Sequence, residues 1–119
     1  MPLEKWSDSV IVVHLADDPQ FSEEIDGIHA LTPPPANCVL DFASLHYVNS
    51  SNIASLLRLR RELYDRKGKL ILCGVSSQIW TTFLITGLDK IFVFTENVPT
   101  ALATIQLDQP GESPNSFAN

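Results

Sequence analysis

The chain has 119 residues, 45% hydrophobic and 18% charged, with a formal net charge of −6 at pH 7. That length makes one domain the default and suffices for a core without staples, while the acidic balance argues against nucleic acid as a general partner. Cys38 and Cys73 sit in apolar runs with no CxxC and no Cys/His cluster at ligand spacing, so they read as buried free thiols rather than a metal or redox site.

The opening MPLEKWSDSV is acidic and polar, unlike a signal peptide, and no apolar run approaches the ~20 residues that span a bilayer. The expected setting is the cytoplasm, without direct membrane insertion. Leu3 to Trp6 reads as a short strand and Ser7-Asp8 as a tight turn. Val10 to Leu15, VIVVHL, is a continuous β-branched run that suits a buried strand, with His14 at the edge of the core.

Asp18-Pro19 reads as a helix start, Asp18 as the cap and Pro19 in the first helical position. Phe21, Ile25, Ile28 and Leu31 follow at helical spacing until Pro33-Pro34-Pro35 stops the run. Cys38 to Phe42 is the next buried strand, followed by the loop Ala43 to Asn49. Ile53, Leu56, Leu57, Leu63 and Tyr64, with Leu59 widening the stripe, then predict an amphipathic helix of about four turns ended by Gly68.

Leu70 to Cys73 is a strand closed by Gly74. Ser76 or Ser77 caps a helix carrying Ile79, Trp80, Phe83 and Leu84, and Gly87 stands where a left-handed residue ends it. Ile91 to Phe94 is the last strand, and Asn97 caps a final helix with Pro99 in its first turn and Ala101, Leu102 and Ile105 inward. From Asp108 the chain turns polar and Pro/Gly-containing, which predicts a domain over residues 1–107 and a disordered tail over 108–119. The order β-β-α-β-α-β-α-β-α implies an α/β domain with a largely parallel sheet and right-handed crossovers. Ligands of such sheets sit beyond the strand C-terminal ends, where the loop carrying Asn49 to Asn52 falls.

Six of the eight Lys and Arg residues lie between Arg58 and Lys69. A solvated helix face is the plain reading, and docking of an acidic partner the functional one. No catalytic set is present: GxGxxG, GxxxxGK[ST] and GxSxG are all missing, and His14, His29 and His46 are not paired at metal-ligand spacing. The chain is therefore expected to be no enzyme and to hold no cofactor.

The stretch YVNSSNI, Tyr47 to Ile53, admits three readings. Asn49-Ser50-Ser51 is a glycosylation sequon, but nothing directs secretion. One of Ser50 and Ser51 serves as a helix cap. Two serines exceed what capping requires, and a helix N-terminus accommodates phosphate, so a phosphorylation switch is the third reading.

Three blocks carry a family resemblance: VLDFASLHYVNSSNIASLL, with its strand, Ser-Ser turn and helix; RKGKLILCGVS, a Gly followed by a strand; and FLITGLDKIFVF, with its Thr-Gly-Leu ending. Together they resemble STAS domains, the group that includes bacterial anti-sigma factor antagonists. The match runs from about Val10 to Ile105 and is weakest before Asn37.

The resemblance implies a small single-domain STAS-like fold, a mixed and mostly parallel sheet flanked by about four helices. It also implies an antagonist that binds an anti-sigma factor with serine kinase activity, is released by phosphorylation, and is reset by a phosphatase. ATP would belong to the kinase. The phosphoacceptor falls on Ser50, with Ser51 as the alternate, and the docking face on Asn49, Ser50, Ser51 and Asn52, extending to Arg58. Asn49 stands where the family has Asp, and Asn52 where it has Gly, adding bulk expected at the surface. A STAS scaffold or accessory subunit of a signalling or membrane-transport complex, without phosphoryl control, is the alternative these two residues motivate.

Overall fold

Five strands lie side by side in their sequence order, β1 (Leu3–Lys5), β2 (Val10–Ala16), β3 (Asn37–Ser44), β4 (Leu70–Cys73) and β5 (Val93–Thr95). Only β1 runs antiparallel to its neighbour; β2 through β5 are parallel. The helices are α1 (Gln20–His29), α2 (Ser50–Asp65), α3 (Ser77–Thr86) and α4 (Val98–Leu107), with a 3-10 turn at Leu88–Lys90. This computed structural model describes residues 3–107; the tail expected at 108–119 lies outside the described residues.

A sheet wound in one direction with crossovers of one hand puts all its crossover helices on one face. Alternation along the strands follows. Ile11, Val13 and Leu15 of β2 join Phe42, Leu72, Phe83 and the buried stripes of α1 and α2 in one cluster. Val10, Val12, Val39, Ile71 and Cys73 point the other way, against Ala101 and Ile105 of α4. Both faces of β2 to β4 are thus covered, which is why those strands read as unbroken apolar runs. Cys38 and Cys73 are free and buried, as expected.

Several local expectations shift. Pro19 takes the N-cap position of α1 instead of the first helical one, and Asp18 stands one residue outside, its carboxylate still accepting from the Ser22 N–H at 3.2 Å. Leu31 lies past the helix end but packs against the core. The last strand begins at Val93, because Leu88 to Lys90 wind into the 3-10 turn and the N–H groups of Ile91 and Phe92 both donate to the Leu88 carbonyl. Leu57, Tyr64 and Leu84, read as inward, are exposed.

Helix α2 ends by a different device from the one expected. Lys67, not Gly68, takes the left-handed conformation at φ 61°. The Lys67 N–H donates to Tyr64 O and the Gly68 N–H to Leu63 O, the paired bonds of a Schellman ending. Gly68 is required for proximity instead: a Cβ there would stand 1.5 Å from the Ala36 carbonyl oxygen. Gly87 does end α3 at φ 76°, as its position in the sequence predicts.

Candidate functional site

The parallel strands all deliver their chain to one end of the sheet, and each following helix starts there. At the end of β3, Leu45 is buried and anchors the turn, while His46 and Tyr47 are exposed. Asn49 then adopts an extended conformation (φ −110°, ψ 177°) and caps α2. Its side chain accepts from the Asn52 N–H at 2.8 Å, and the Asn52 side-chain oxygen accepts from the Asn49 N–H at 3.0 Å. This is a capping box built from two asparagines.

The cap expected of Ser50 or Ser51 therefore belongs to Asn49. Ser50 and Ser51 occupy the first two positions of the helix, both exposed, and among the described residues neither hydroxyl is engaged in a hydrogen bond. Asn52 does not add bulk at the surface; it is 3% exposed and forms part of the inward face of α2 with Leu56, Leu59 and Leu63. Its Nδ2 donates to Asp18 Oδ2 at 3.1 Å, so the helix start is tied to the β2–α1 turn. Arg58 is exposed two turns along α2, and Arg61 beyond it.

Two carboxylates of the β2–α1 turn face this loop. Asp17 accepts from the His46 backbone N–H at 3.0 Å and from His46 Nδ1 at 2.7 Å. These bonds, the backbone one foremost, hold the Asp17 carboxyl below its ordinary range. The Asn52 amide, followed by the Ser22 hydroxyl, does the same for Asp18. Neither aspartate was legible as part of the site, since these contacts span 29 and 34 residues.

His46 is engaged with Asp17, with no Ser50–His46 hydrogen bond in the described structure. His14 is half-buried at the strand edge, its Nδ1 bonded to Asp41 Oδ2 at 2.8 Å and its Nε2 to Glu4 Oε2 at 3.2 Å. Burial pushes the Cys38 thiol well up, and burial with the Asp41 charge pushes Cys73 up to about 12, so neither is a nucleophilic thiolate at neutral pH. Among the described residues, no group of three or more His, Cys, Asp or Glu could hold a metal, and no helix is long and apolar enough to cross a membrane.

The chain belongs to the STAS domain family, whose model matches residues 5–101. It resembles the unphosphorylated form of the anti-sigma factor antagonist SpoIIAA of Bacillus with a TM-score of 0.75, at 19% identity over 91% of this chain and 97% of that one. An anti-sigma factor antagonist of Mycobacterium paratuberculosis matches with a TM-score of 0.71, at 21% identity over 87% and 91% of the two chains. The STAS domain of a SulP transporter of Vibrio cholerae matches with a TM-score of 0.67, at 15% identity over 87% and 89%. No curated protein sequence matches.

Proposed function

We propose that this chain is an anti-sigma factor antagonist that binds an anti-sigma factor with serine kinase activity and is switched off when that kinase phosphorylates Ser50. The observation that carries the reading is the division of labour at the start of α2. Asn49 and Asn52 satisfy the helix end between them, so the exposed Ser50 and Ser51 hydroxyls have no structural duty there. A hydroxyl that holds nothing in place can be modified without disturbing the fold.

Phosphorylation adds about −1.5 to −2 charges at pH 7. The helix N-terminus tolerates that charge, whereas a partner seated over the loop would have to accommodate both it and three bulky oxygens. Asn49, Ser50, Ser51 and the stretch to Arg58 form the proposed contact surface, with Asn52 supporting it from beneath. ATP is the kinase's cofactor; this chain acts as a binding module in the cytoplasm, and a phosphatase restores it. Incubation with the cognate kinase and ATP, followed by mass spectrometric mapping, is expected to place phosphate on Ser50. Undiminished labelling of Ser50→Ala would overturn the assignment.

The SulP relative supports a second reading, an accessory STAS subunit of a membrane-transport or signalling complex that needs no phosphorylation. Recovery of a transporter with the native protein, with Ser50 unmodified throughout, would select it. Recovery of a soluble kinase alone would count against it.

A further inference from the structure

A cavity of about 300 Å³ opens at the exits of β4 and β5, the end of the sheet that also carries the Ser50 loop. Val75, Trp80, Phe94, Thr95 and Glu96 line it. Trp80 and Phe94 meet edge to face, with ring centroids 4.9 Å apart. The walls are set before any ligand arrives. Phe94 also packs on the buried Phe83, 5.1 Å between centroids, and the Gly74 N–H donates to the Glu96 carbonyl at 3.2 Å, tying the β4 exit to the β5 exit. Strand β5 is an edge of the sheet, so no further strand stands between this corner and a partner.

The chemistry of the lining selects a cation. Glu96 brings the cavity its carboxylate; the residue is exposed, and among the described residues that carboxylate makes no ion pair. The surroundings have the same sign. The four loops that join a parallel strand to its helix carry Asp17, Asp18 and Glu96 against the imidazole of His46. All eight Lys and Arg residues fall elsewhere: Lys5 at the end of β1, Arg58 to Lys69 from the second half of α2 up to β4, and Lys90 in the 3-10 turn before β5. An aromatic ring attracts a cation electrostatically, and a carboxylate supplies the counter-charge. The planar guanidinium of arginine suits both, stacking on a ring and forking to a carboxylate. The size agrees: about 300 Å³ is the lower limit of small-molecule sites and holds one long side chain.

We propose that this cavity receives an arginine side chain of the protein partner, its guanidinium against the aromatic wall of Trp80 and Phe94 and paired with Glu96. The proposal rests on the reading that a partner seats at the Ser50 end of the sheet, and it gives that partner a basic contact beside the loop.

Titration of the full isotope-labelled chain with the tripeptide acetyl-Gly-Arg-Gly-amide, followed by NMR, tests it. The Trp80 indole N–H and the Glu96 amide resonances should shift saturably at millimolar peptide. The tripeptide with neutral citrulline in place of arginine should bind about tenfold more weakly, and Glu96→Gln should weaken arginine binding by about the same factor. Glu96 is exposed, so that variant should keep the wild-type spectrum elsewhere. Absent shifts, an equal response to citrulline, or indifference to Glu96→Gln overturns the proposal. Spermidine binding more tightly than the arginine tripeptide would assign the cavity to free amines and equally overturn it. None of these arms reads Ser50 labelling: loss of arginine binding strikes this proposal alone, and an unlabelled Ser50 strikes the switch alone.

Discussion

Asn49 and Asn52 cap one another: each side-chain oxygen accepts from the other's backbone N–H, at 2.8 and 3.0 Å. The two residues are thus coupled, and they build the helix start that carries Ser50. Asn49→Ala should cost about 1 kcal/mol, the usual loss for a helix cap, or roughly 4 °C in Tm for a domain of this size. Asn49→Asp keeps an acceptor in the same place and should leave Tm within about 1 °C. Asn52→Ala removes the cap partner and the bond to Asp18 from a buried position, so it should cost about 2 kcal/mol. Thermal denaturation of the three variants checks this order.

Ser50 and Ser51 sit on that cap without contributing to it. Ser50→Ala and Ser51→Ala should each change stability by less than about 0.5 kcal/mol, a result opposite to that expected of capping serines. Ser50→Asp should likewise leave the fold intact while weakening partner binding about tenfold or more, as measured by calorimetry against the anti-sigma factor. An unchanged affinity would speak against an electrostatic switch.

The order of elements along the chain, the mostly parallel sheet, the helix count and the place of the Ser50 loop were all legible, because they follow from apolar runs alternating with helical periodicity. The cap was misassigned for a physical reason. Asn and Ser compete equally for the N-cap position, and the choice rests on whether position N3 can reciprocate, which Asn52 does. Leu57 and Tyr64 were misplaced because a six-residue apolar list over 53–64 is wider than the buried stripe of Leu56, Leu59 and Leu63. Tyr64 instead lies exposed beneath the Arg60 guanidinium, 4.3 Å from its ring centroid. Asp18 read only as the cap of α1 and Asp17 carried no reading, since their partners in the Ser50 loop are remote in sequence.

Those two aspartates give the loop a pH dependence with a definite sign. Both carboxyls are held below their ordinary range by hydrogen bonds made to the charged form. A group whose folded pKa is depressed contributes stability that is present above its unfolded pKa, about 3.9 for Asp, and lost as pH falls through the folded value. Stability should therefore decline below about pH 4, and Asp18→Asn should make that decline shallower. Urea denaturation of both proteins between pH 2.5 and 6 measures the difference; equal slopes would mean that Asp18 titrates alike folded and unfolded.

Gly27 and Gly68 are expected to respond to the same substitution with opposite signs. A Cβ added at Gly27 meets nothing within 4 Å, and the residue lies inside α1, where glycine is worse than alanine by roughly 1 kcal/mol. Gly27→Ala should accordingly stabilise by about 0.5–1 kcal/mol. At Gly68 the same methyl would overlap the Ala36 carbonyl at 1.5 Å, and backbone, unlike a flexible side chain, has nowhere to yield. The Ala36 and Gly68 segments lead directly into β3 and β4, where Cys38 N–H donates to Lys69 O at 2.9 Å and Lys69 N–H to Asn37 Oδ1 at 2.9 Å. Relieving the overlap must spread these strand starts apart, so Gly68→Ala should cost at least about 3 kcal/mol. Denaturant midpoints for the pair test both signs at once, and a tolerated Gly68→Ala would show that the two strand starts are free to separate.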